Sequence, residues 1–526
     1  MEISFRGFVQ TLRKHNELLE ISKPVDLRNV AALVPQSEKA LLFSNIEGYP
    51  IPVASGLLQS RNRLALAIGV DYSGIEKKLR EAMDHPIKPR MVKKAPVKDV
   101  IHTGGKVDLF KLPVPVFGLM DGGPMITAAV VIAQDPEYGM NAGMYRLMLK
   151  ERNMTGIDIV TPNNLRRYAE RALQKKKTLP ISMSIGVHPY EMIASTFKAS
   201  LGTNELGYAG GLRGAPLKLA PGETISTPCI ADAEIVLEGE IPPEGWIHPE
   251  GPFSEFNRLM GGLHLNPRVK IKAIMHRKEP IYYALHMPWE NIWMSAPIYE
   301  AAALRVLREA GVTTTAVNVT PGGCCHWHIV AAIKKQPGDG KNAIMALLSI
   351  ADIKHAIVTD DDIDIFDPID LEWAVATRVQ ADRDVVIVAN ARSKPLDPSL
   401  PPTNGIPTTA KMGIDATIPE NVPRERYNRI VYINEGKAQL KDYLGQEPSV
   451  QKARTPVNRR TKPLVDRILR ALSKSHKFYA EILDLFHNEE FGEIARTIGR
   501  LSHEGKIAQD GEGKYQLVED GLSQTR

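Results

Sequence analysis

Cysteine is scarce. The 526 residues contain three, Cys229, Cys324 and Cys325, two of them adjacent, which excludes a disulfide-built scaffold and suits a reducing compartment. No run approaches the roughly 18 apolar residues of a membrane-spanning helix. The start, MEISFRGFVQTLRKHNE, lacks the apolar stretch of a secretory signal, so a cytoplasmic location is expected. Charge of one sign is never concentrated: 66 basic and 61 acidic residues leave a net +5. Clusters such as KKAPVK (93–98) and KKKT (175–178) are read as solvated faces, and no nucleic-acid or membrane surface declares itself. With 43% apolar and 24% charged residues and no low-complexity tract, this is an ordinary globular composition. Its length exceeds what one hydrophobic core organises and implies two to four domains.

Patterning divides the chain into four. Phe5, Phe8, Val9 and Leu12 recur at helical spacing. Up to about 120, the short apolar runs LLFSN, IPVASG and RLALAIGV accompany a charged helical segment, IEKKLREAMDH, as in a small α/β domain. The Pro-rich FKLPVPVFGLMDGGP (110–124) reads as a connector. Strand signals then dominate from 125 to 285 (ITAAVVIAQ, GIDIV, ISMSIGV, AEIVLEGEI, RVKIKAIM, IYYALH), pointing to a β-rich barrel or sandwich with helical insertions. From 296 to 460 helices and strands alternate as in βαβ units. The last segment, 461–526, combines amphipathic helices with a DGEG turn between KIAQ and KYQLV, the outline of a winged-helix-like appendage. Such a module could bind DNA through Arg496 and Arg500; with a modest basic face, a docking or oligomerisation element is the preferred reading.

Several clusters invite a chemical reading. CCHWH (324–328) would put His326 and His328 on one face of a strand beside two thiols, without the paired spacing of a structural zinc site. DDDIDIFD (360–367) lacks the glycine of an EF-hand and reads as a loop at the end of a strand. The glycines of AGGLRG (209–214) could let backbone approach a ligand. In NAGMYRLML, Arg146 sits among apolar residues and calls for an anion, whether a structural carboxylate or a substrate's. PEGPFSEF carries Glu250 and Glu255 around Pro252, which keeps them off a helix and on a loop. If both approached Arg146 in a dry cleft, one could stay ionised while the other kept its proton.

Taken in order, NAGMYR (141–146), TGIDIVTPNN (155–164), NELGYAGGLRG (204–214), AEIVLEG (233–239), PEGPFSEF (249–256), DDDIDIFD with WAVATR (373–378), and TAKMGIDAT (409–417) resemble the motifs of the UbiD family of prenylated-flavin-dependent decarboxylases. The resemblance spans about residues 5–450. It implies a central split β-barrel cofactor domain (121–295) flanked by α/β regions (1–120 and 296–460), with 461–526 outside it, and a dimer or hexamer.

The resemblance also implies site residues. Asn141, Asn164 and Glu205 match the ligands of a divalent metal, manganese or magnesium, that holds the cofactor phosphate; relatives carry His where this chain has Asn164. The cofactor, prenylated FMN supplied by a flavin prenyltransferase, would lie along Asn141, Ala142, Gly143, Met144, Tyr145 and Arg146, with Asn163, Asn164 and Glu205. Backbone carbonyls matching Ala142, Ala194, Ser195, Phe197 and Arg378, with Glu205 bridging, would hold potassium. Arg146, Glu250 and Glu255 match the catalytic trio: Arg146 orients the substrate carboxylate, Glu255 protonates carbon as CO2 leaves, and Glu250 tunes that transfer. For the substrate, an aromatic or heteroaromatic acid, His286, Trp289 and Asn291 in HMPWENIWM are the candidate contacts. The other readings are a ligand-responsive winged-helix regulator and a quinone-biosynthesis assembly protein on a decarboxylase-like body.

Overall fold

Between residues 125 and 276, apolar runs broken by Gly and Pro turns fold into six antiparallel strands that close on themselves. In a computed structural model of the chain, which describes residues 3–197, 199–394, 396–401, 407–442, 444 and 463–518, the order around the barrel is Ile235–Ile241, Leu179–Ile185, Met125–Asp135, Gly139–Glu151, Met154–Gly156 and Arg268–His276. The last pairs back onto the first. Closure leaves no exposed edge in the ring. Along Met125–Asp135, Ala129, Val131 and Ala133 join one apolar cluster while Ala128, Val130 and Ile132 join another. Both faces are covered, so this strand reads as one apolar run rather than an alternation. Its pairing with Gly139–Glu151 slips between Ile126↔Leu147 and Ala129↔Tyr145, leaving Thr127 and Ala128 opposite Arg146. Such a bulge re-aims the side chain beside it.

The N-terminal region surrounds this barrel with a short sheet and helices. Helix Phe5–Lys14 buries Phe5, Phe8, Val9 and Leu12, and the Ser4 hydroxyl caps it by accepting from the Gly7 N–H. RLALAIGV, grouped above with strand-like runs, is instead the helix Arg61–Ile68, capped by Ser60 and stopped by Gly69 at φ 74°. Leu and Ala are strong helix formers, and those two caps outweigh the local apolar density. The sheet orders Leu18–Ile21, Ala40–Phe43 and Val53–Ser55, and its fourth strand is Tyr282–Tyr283. IYYALH therefore leaves the barrel sequence and completes the N-terminal sheet, a long-range pairing that local periodicity does not encode. AGGLRG is part of helix Leu206–Arg213. A Cβ on Gly210 would lie 2.2 Å from the Ile87 carbonyl oxygen and one on Gly211 2.7 Å from that of Ala82, so here the glycines admit neighbouring backbone.

Beyond the long helix Trp289–Glu309, a mixed sheet orders Thr314–Val319, His328–Ile333, His355–Asp360, Thr408–Ala416 and Val385–Arg392. DDDIDIFD begins on the last residue of His355–Asp360 and continues as a loop. CCHWH is not a strand until His328. Cys324 and Cys325 take positive φ values of 60° and 50° in a turn, so the same-face argument fails. His326 stacks on Phe256 and His328 contacts Thr320.

Residues Met1–Val422 and Pro423–Arg526 form two separate compact units. In the second, helices Leu464–Leu472, Tyr479–Leu485 and Phe491–His503 precede the hairpin Ile507–Gln509 with Tyr515–Leu517, completing the winged-helix outline. Arg496 and Arg500 pair with Glu493 at 2.7 Å and Glu504 at 3.9 Å, which blunts the face that would meet DNA. Among the described residues no helix is long and apolar enough to cross a membrane. Ile498, 2% exposed in the core of this unit, tests its independence. Ile498→Ala is expected to cost about 2–5 kcal/mol, and hydrogen exchange should accelerate across 464–517 while barrel amides keep wild-type protection.

Candidate active site

The bulge that faces Arg146 delivers its guanidinium to three carboxylates. Nη1 donates to Glu255 Oε1 at 2.5 Å. Nε and Nη2 fork onto Glu250 at 3.4 and 3.2 Å, and Nη2 also meets Asp158 Oδ2 at 3.0 Å. The Phe253 ring lies 4.9 Å from the guanidinium carbon, close enough for cation–π attraction. The side chains of Arg146, Glu250 and Glu255 are 11%, 1% and 13% exposed, so little water competes for these contacts.

Local backbone explains the convergence. Glu250 is not on the loop expected from Pro252 but ends the strand His248–Glu250, paired with His264–Asn266. Glu255 sits on a tight turn, its N–H donating to Leu259 O at 2.9 Å, while the Gly261 N–H donates to Phe253 O at 2.7 Å. Two glycines make room. A Cβ on Gly156 would lie 2.8 Å from Glu250 Cγ, and one on Gly261 would lie 2.9 Å from Glu255 Cγ.

Burial pushes the Glu250 and Glu255 carboxyls up from the ordinary carboxylate range, Asp158 adds to the push, and Arg146 offsets only part of it. For Arg146 the cost of burial is outweighed by the surrounding acids, and it is held more firmly protonated than usual. The cluster can therefore keep a proton on a carboxyl at a pH where a surface glutamate has lost it.

Further along the same strand, Asn141 Nδ2 donates to Glu205 Oε1 at 2.8 Å and the Ala142 N–H to Oε2 at 2.9 Å. The Asn164 side chain helps lower the Glu205 pKa against burial and donates to Ala199 O at 3.2 Å. Asn141 Oδ1 is buried without a hydrogen-bond partner among the described residues. A buried amide oxygen left bare beside a carboxylate whose pKa burial raises is a fitting donor set for a hard divalent cation. The Asn163 oxygen is engaged elsewhere: it accepts from the Arg166 N–H at 2.8 Å, capping helix Asn164–Gln174, and from the Tyr145 hydroxyl at 3.2 Å. Gly143 passes under the Tyr145 ring, and Met144 packs against the apolar cluster that contains Ala128, Val130 and Ile132.

Ala194 ends helix Pro189–Ala194, and Ser195 and Phe197 follow in the next turn. Arg378 closes helix Pro368–Arg378 with its guanidinium paired to Asp360 and Asp362 at 3.2 and 2.6 Å. His286 donates through Nε2 to Ala31 O at 2.9 Å, its Nδ1 is buried without a partner, and burial lowers its pKa. Trp289 and Asn291 open helix Trp289–Glu309, with the Arg258 guanidinium 5.5 Å from the Trp289 ring.

Comparison with known proteins settles the family. Three sequence profiles match consecutive stretches: the N-terminal domain (9–83), the Rift-related domain (90–288) and the C-terminal domain (292–416) of 3-octaprenyl-4-hydroxybenzoate carboxy-lyase. The chain belongs to the UbiD family of carboxy-lyases. Anhydromevalonate phosphate decarboxylase of Methanosarcina mazei is 36% identical to this UbiD-family chain over 422 residues, 79% of this chain and 96% of that one. Gallate decarboxylase of Lactiplantibacillus plantarum is 30% identical over 431 residues, 76% and 87% of the two chains. Among solved structures, the UbiD-class enzyme HmfF from Pelotomaculum thermopropionicum, in complex with FMN, aligns with a TM-score of 0.79 at 40% identity, over 84% of this chain and all of that one. Its evolved dimeric form, in complex with prFMN, aligns with a TM-score of 0.77 at 37% identity over the same shares.

Two members of the cluster in this UbiD-family chain were not singled out in its sequence. Asp158 lies inside TGIDIV, where its acid could have been matched to Arg146. Lys150 follows Arg146 by four residues on the same strand, a period-2 position, and donates to Pro249 O at 2.6 Å beside Glu250. The close fit at Gly156 has a measurable consequence. Gly156→Ala should displace Glu250 from Arg146 and cost about 1–3 kcal/mol, read as a lower thermal midpoint, whereas Gly139→Ala, with nothing within 4 Å of its Cβ, should lose only what its φ of 76° imposes.

Proposed function

We propose that the chain is a non-oxidative, reversible decarboxylase of an aromatic or heteroaromatic carboxylic acid that depends on prenylated FMN. The observation that carries this reading is the single guanidinium shared by Glu250, Glu255 and Asp158 in a water-poor cleft. It lies five residues along the strand from Asn141, roughly 16 Å at strand spacing, room for a ligand anchored at one end and reacting at the other. The prFMN complex of HmfF supports the cofactor. Gallate decarboxylase supports an aromatic acid, as does the Phe253 ring 4.9 Å from the Arg146 guanidinium carbon.

Each residue then has a task. Asn141, Asn164 and Glu205 would hold Mn2+ or Mg2+ for the cofactor phosphate, and the carbonyls of Ala142, Ala194, Ser195, Phe197 and Arg378 would hold K+. Prenylated FMN, when bound, supplies the electron sink that loss of CO2 requires and no side chain offers. Arg146 receives the substrate carboxylate and orients the bond that breaks. As that carbon–carbon bond cleaves, its electron pair stays with the substrate, and Glu255 donates the proton that forms the new carbon–hydrogen bond. Glu250 tunes the transfer through Arg146. His286, Trp289 and Asn291 contact the ring. A flavin prenyltransferase supplies the cofactor, and the enzyme works in the cytoplasm as a dimer or hexamer.

A second reading is favoured by the anhydromevalonate phosphate decarboxylases among the relatives: the same machinery on a phosphorylated, non-aromatic acid. CO2 release decides between them. The chain is co-expressed with a flavin prenyltransferase and offered benzoate, 3,4-dihydroxybenzoate, gallate, furan-2-carboxylate and anhydromevalonate phosphate. Turnover of the last alone rejects the aromatic reading.

Glu255→Gln is expected to remove turnover while the flavin absorbance stays; full activity would reject Glu255 as donor. Asn141→Ala should lose the flavin, and an unchanged flavin spectrum rejects the phosphate anchor. The sign of the pH dependence follows from burial. With its folded pKa above the unfolded value, neutral Glu255 contributes stability that is complete below the unfolded pKa and lost as pH rises through the folded one. That titration also removes the donor proton, so kcat should fall on the alkaline limb, and at a pH above the ordinary carboxylate range.

A further inference from the structure

The connector 110–124 has no part in the chemistry above, yet its end is built into the catalytic loop. Asp121 sits in a turn whose carboxylate gathers four donors. Oδ2 accepts from the Phe117 and Gly118 N–H groups at 3.2 and 2.8 Å. Oδ1 accepts from the N–H and the hydroxyl of Ser254 at 2.8 and 2.9 Å. One side chain thus closes its own turn and grips the residue immediately before Glu255. Alongside, the Gly122 N–H donates to Pro252 O at 2.9 Å.

The two segments approach closely at two glycines. A Cβ on Gly118 would lie 1.9 Å from Ser254 Oγ, and one on Gly122 would lie 2.1 Å from the Gly251 carbonyl oxygen. At Gly122 the turn and the loop meet backbone to backbone, and at Gly118 the turn's backbone meets the Ser254 hydroxyl. Glu255 reaches Arg146 at 2.5 Å from the next position along.

We infer that Asp121 is a positioning residue: by holding Ser254 it sets the distance at which the Glu255 carboxyl meets Arg146. This rests on Glu255 being the proton donor. Asn at 121 keeps the size but can accept on one side only, so its amide N–H groups would confront either the Phe117 and Gly118 donors or those of Ser254. The loop would then relax by a fraction of an ångström to an ångström, a misplacement that can cost about 10²-fold in rate. Arg146 pulls the Glu255 pKa down against burial, so a looser contact also lets Glu255 keep its proton to higher pH.

The test uses full-length enzyme loaded with its flavin. The Glu255 carboxyl band in difference infrared spectra, assigned by its loss in Glu255→Gln, is titrated without any substrate. In Asp121→Asn the band should titrate at higher pH than in wild type, and kcat on any acid of the panel that releases CO2 should fall about 10²-fold with KM within about threefold. An unmoved titration and wild-type kcat overturn the inference, as does a lowered thermal midpoint with neither change. If Asp121→Asn does not fold, Ser254→Ala and Ser254→Thr decide. Alanine should shift the titration in the same direction and threonine, which keeps the hydroxyl, should restore it; alanine indistinguishable from wild type overturns the inference. Full turnover by Glu255→Gln overturns the donor assignment and the inference with it. An inactive Glu255→Gln beside an unperturbed Asp121→Asn overturns the inference alone.

Discussion

One guanidinium shared among three carboxylates is the constraint around which this chain is arranged. At about 4 Å and an effective dielectric near 20, each opposite pair is worth about 4 kcal/mol before desolvation, and Arg146 with Lys150 beside Glu250 cannot neutralise three acids. The surplus negative charge has to be relieved by a proton, and burial makes that proton hard to lose. Much of the nearby backbone serves this geometry. The bulge at Thr127 and Ala128 lies opposite Arg146, the strand His248–Glu250 delivers one acid, and a turn delivers the other. Asp158 is the more exposed of the three and balances Arg146 from the side nearer water.

The second centre follows a different logic. Among the described residues no group of three or more His, Cys, Asp or Glu side chains could hold a metal ion. Asn141, Asn164 and Glu205, proposed to hold a divalent cation, offer two amides and one carboxylate, a hard-oxygen set that would leave room for phosphate oxygens rather than saturate the cation. The Asn141 oxygen, without a hydrogen-bond partner among the described residues, supports that proposal, because buried polar atoms are almost always paired.

What could be read from the sequence depended on range. The barrel strand Met125–Asp135 was legible because both its faces are apolar, and helix Phe5–Lys14 because its period is 3.6; GIDIV, also read as a strand, contributes only Gly156 to Met154–Gly156. RLALAIGV was misgrouped because apolar density was weighed above its Ser60 and Gly69 caps. CCHWH was misread because two successive non-glycine residues at positive φ cannot be foreseen from composition. The meeting of Arg146 with Glu250 and Glu255 was legible as a need for partners; the physics of isolated segments does not say which acids answer it, and Asp158 went unassigned for that reason. The Asp121 turn looked like a linker since its contacts with the loop at Ser254 span more than a hundred residues.

The strand Tyr282–Tyr283 sets the order in which the molecule can be assembled. Ser55 donates to the Ala284 carbonyl across 229 residues of chain at 2.6 Å, and buried Glu290 accepts from the Gly56 and Leu58 N–H groups at 2.8 and 2.9 Å. During synthesis, the N-terminal sheet therefore waits for the whole barrel to emerge before its last strand and its carboxylate anchor arrive. The first hundred residues are thus an unfinished surface rather than a free-standing domain. The helix that begins at Trp289 is locked in place by the oldest part of the chain, which closes the fold behind the active site as a clasp closes a ring.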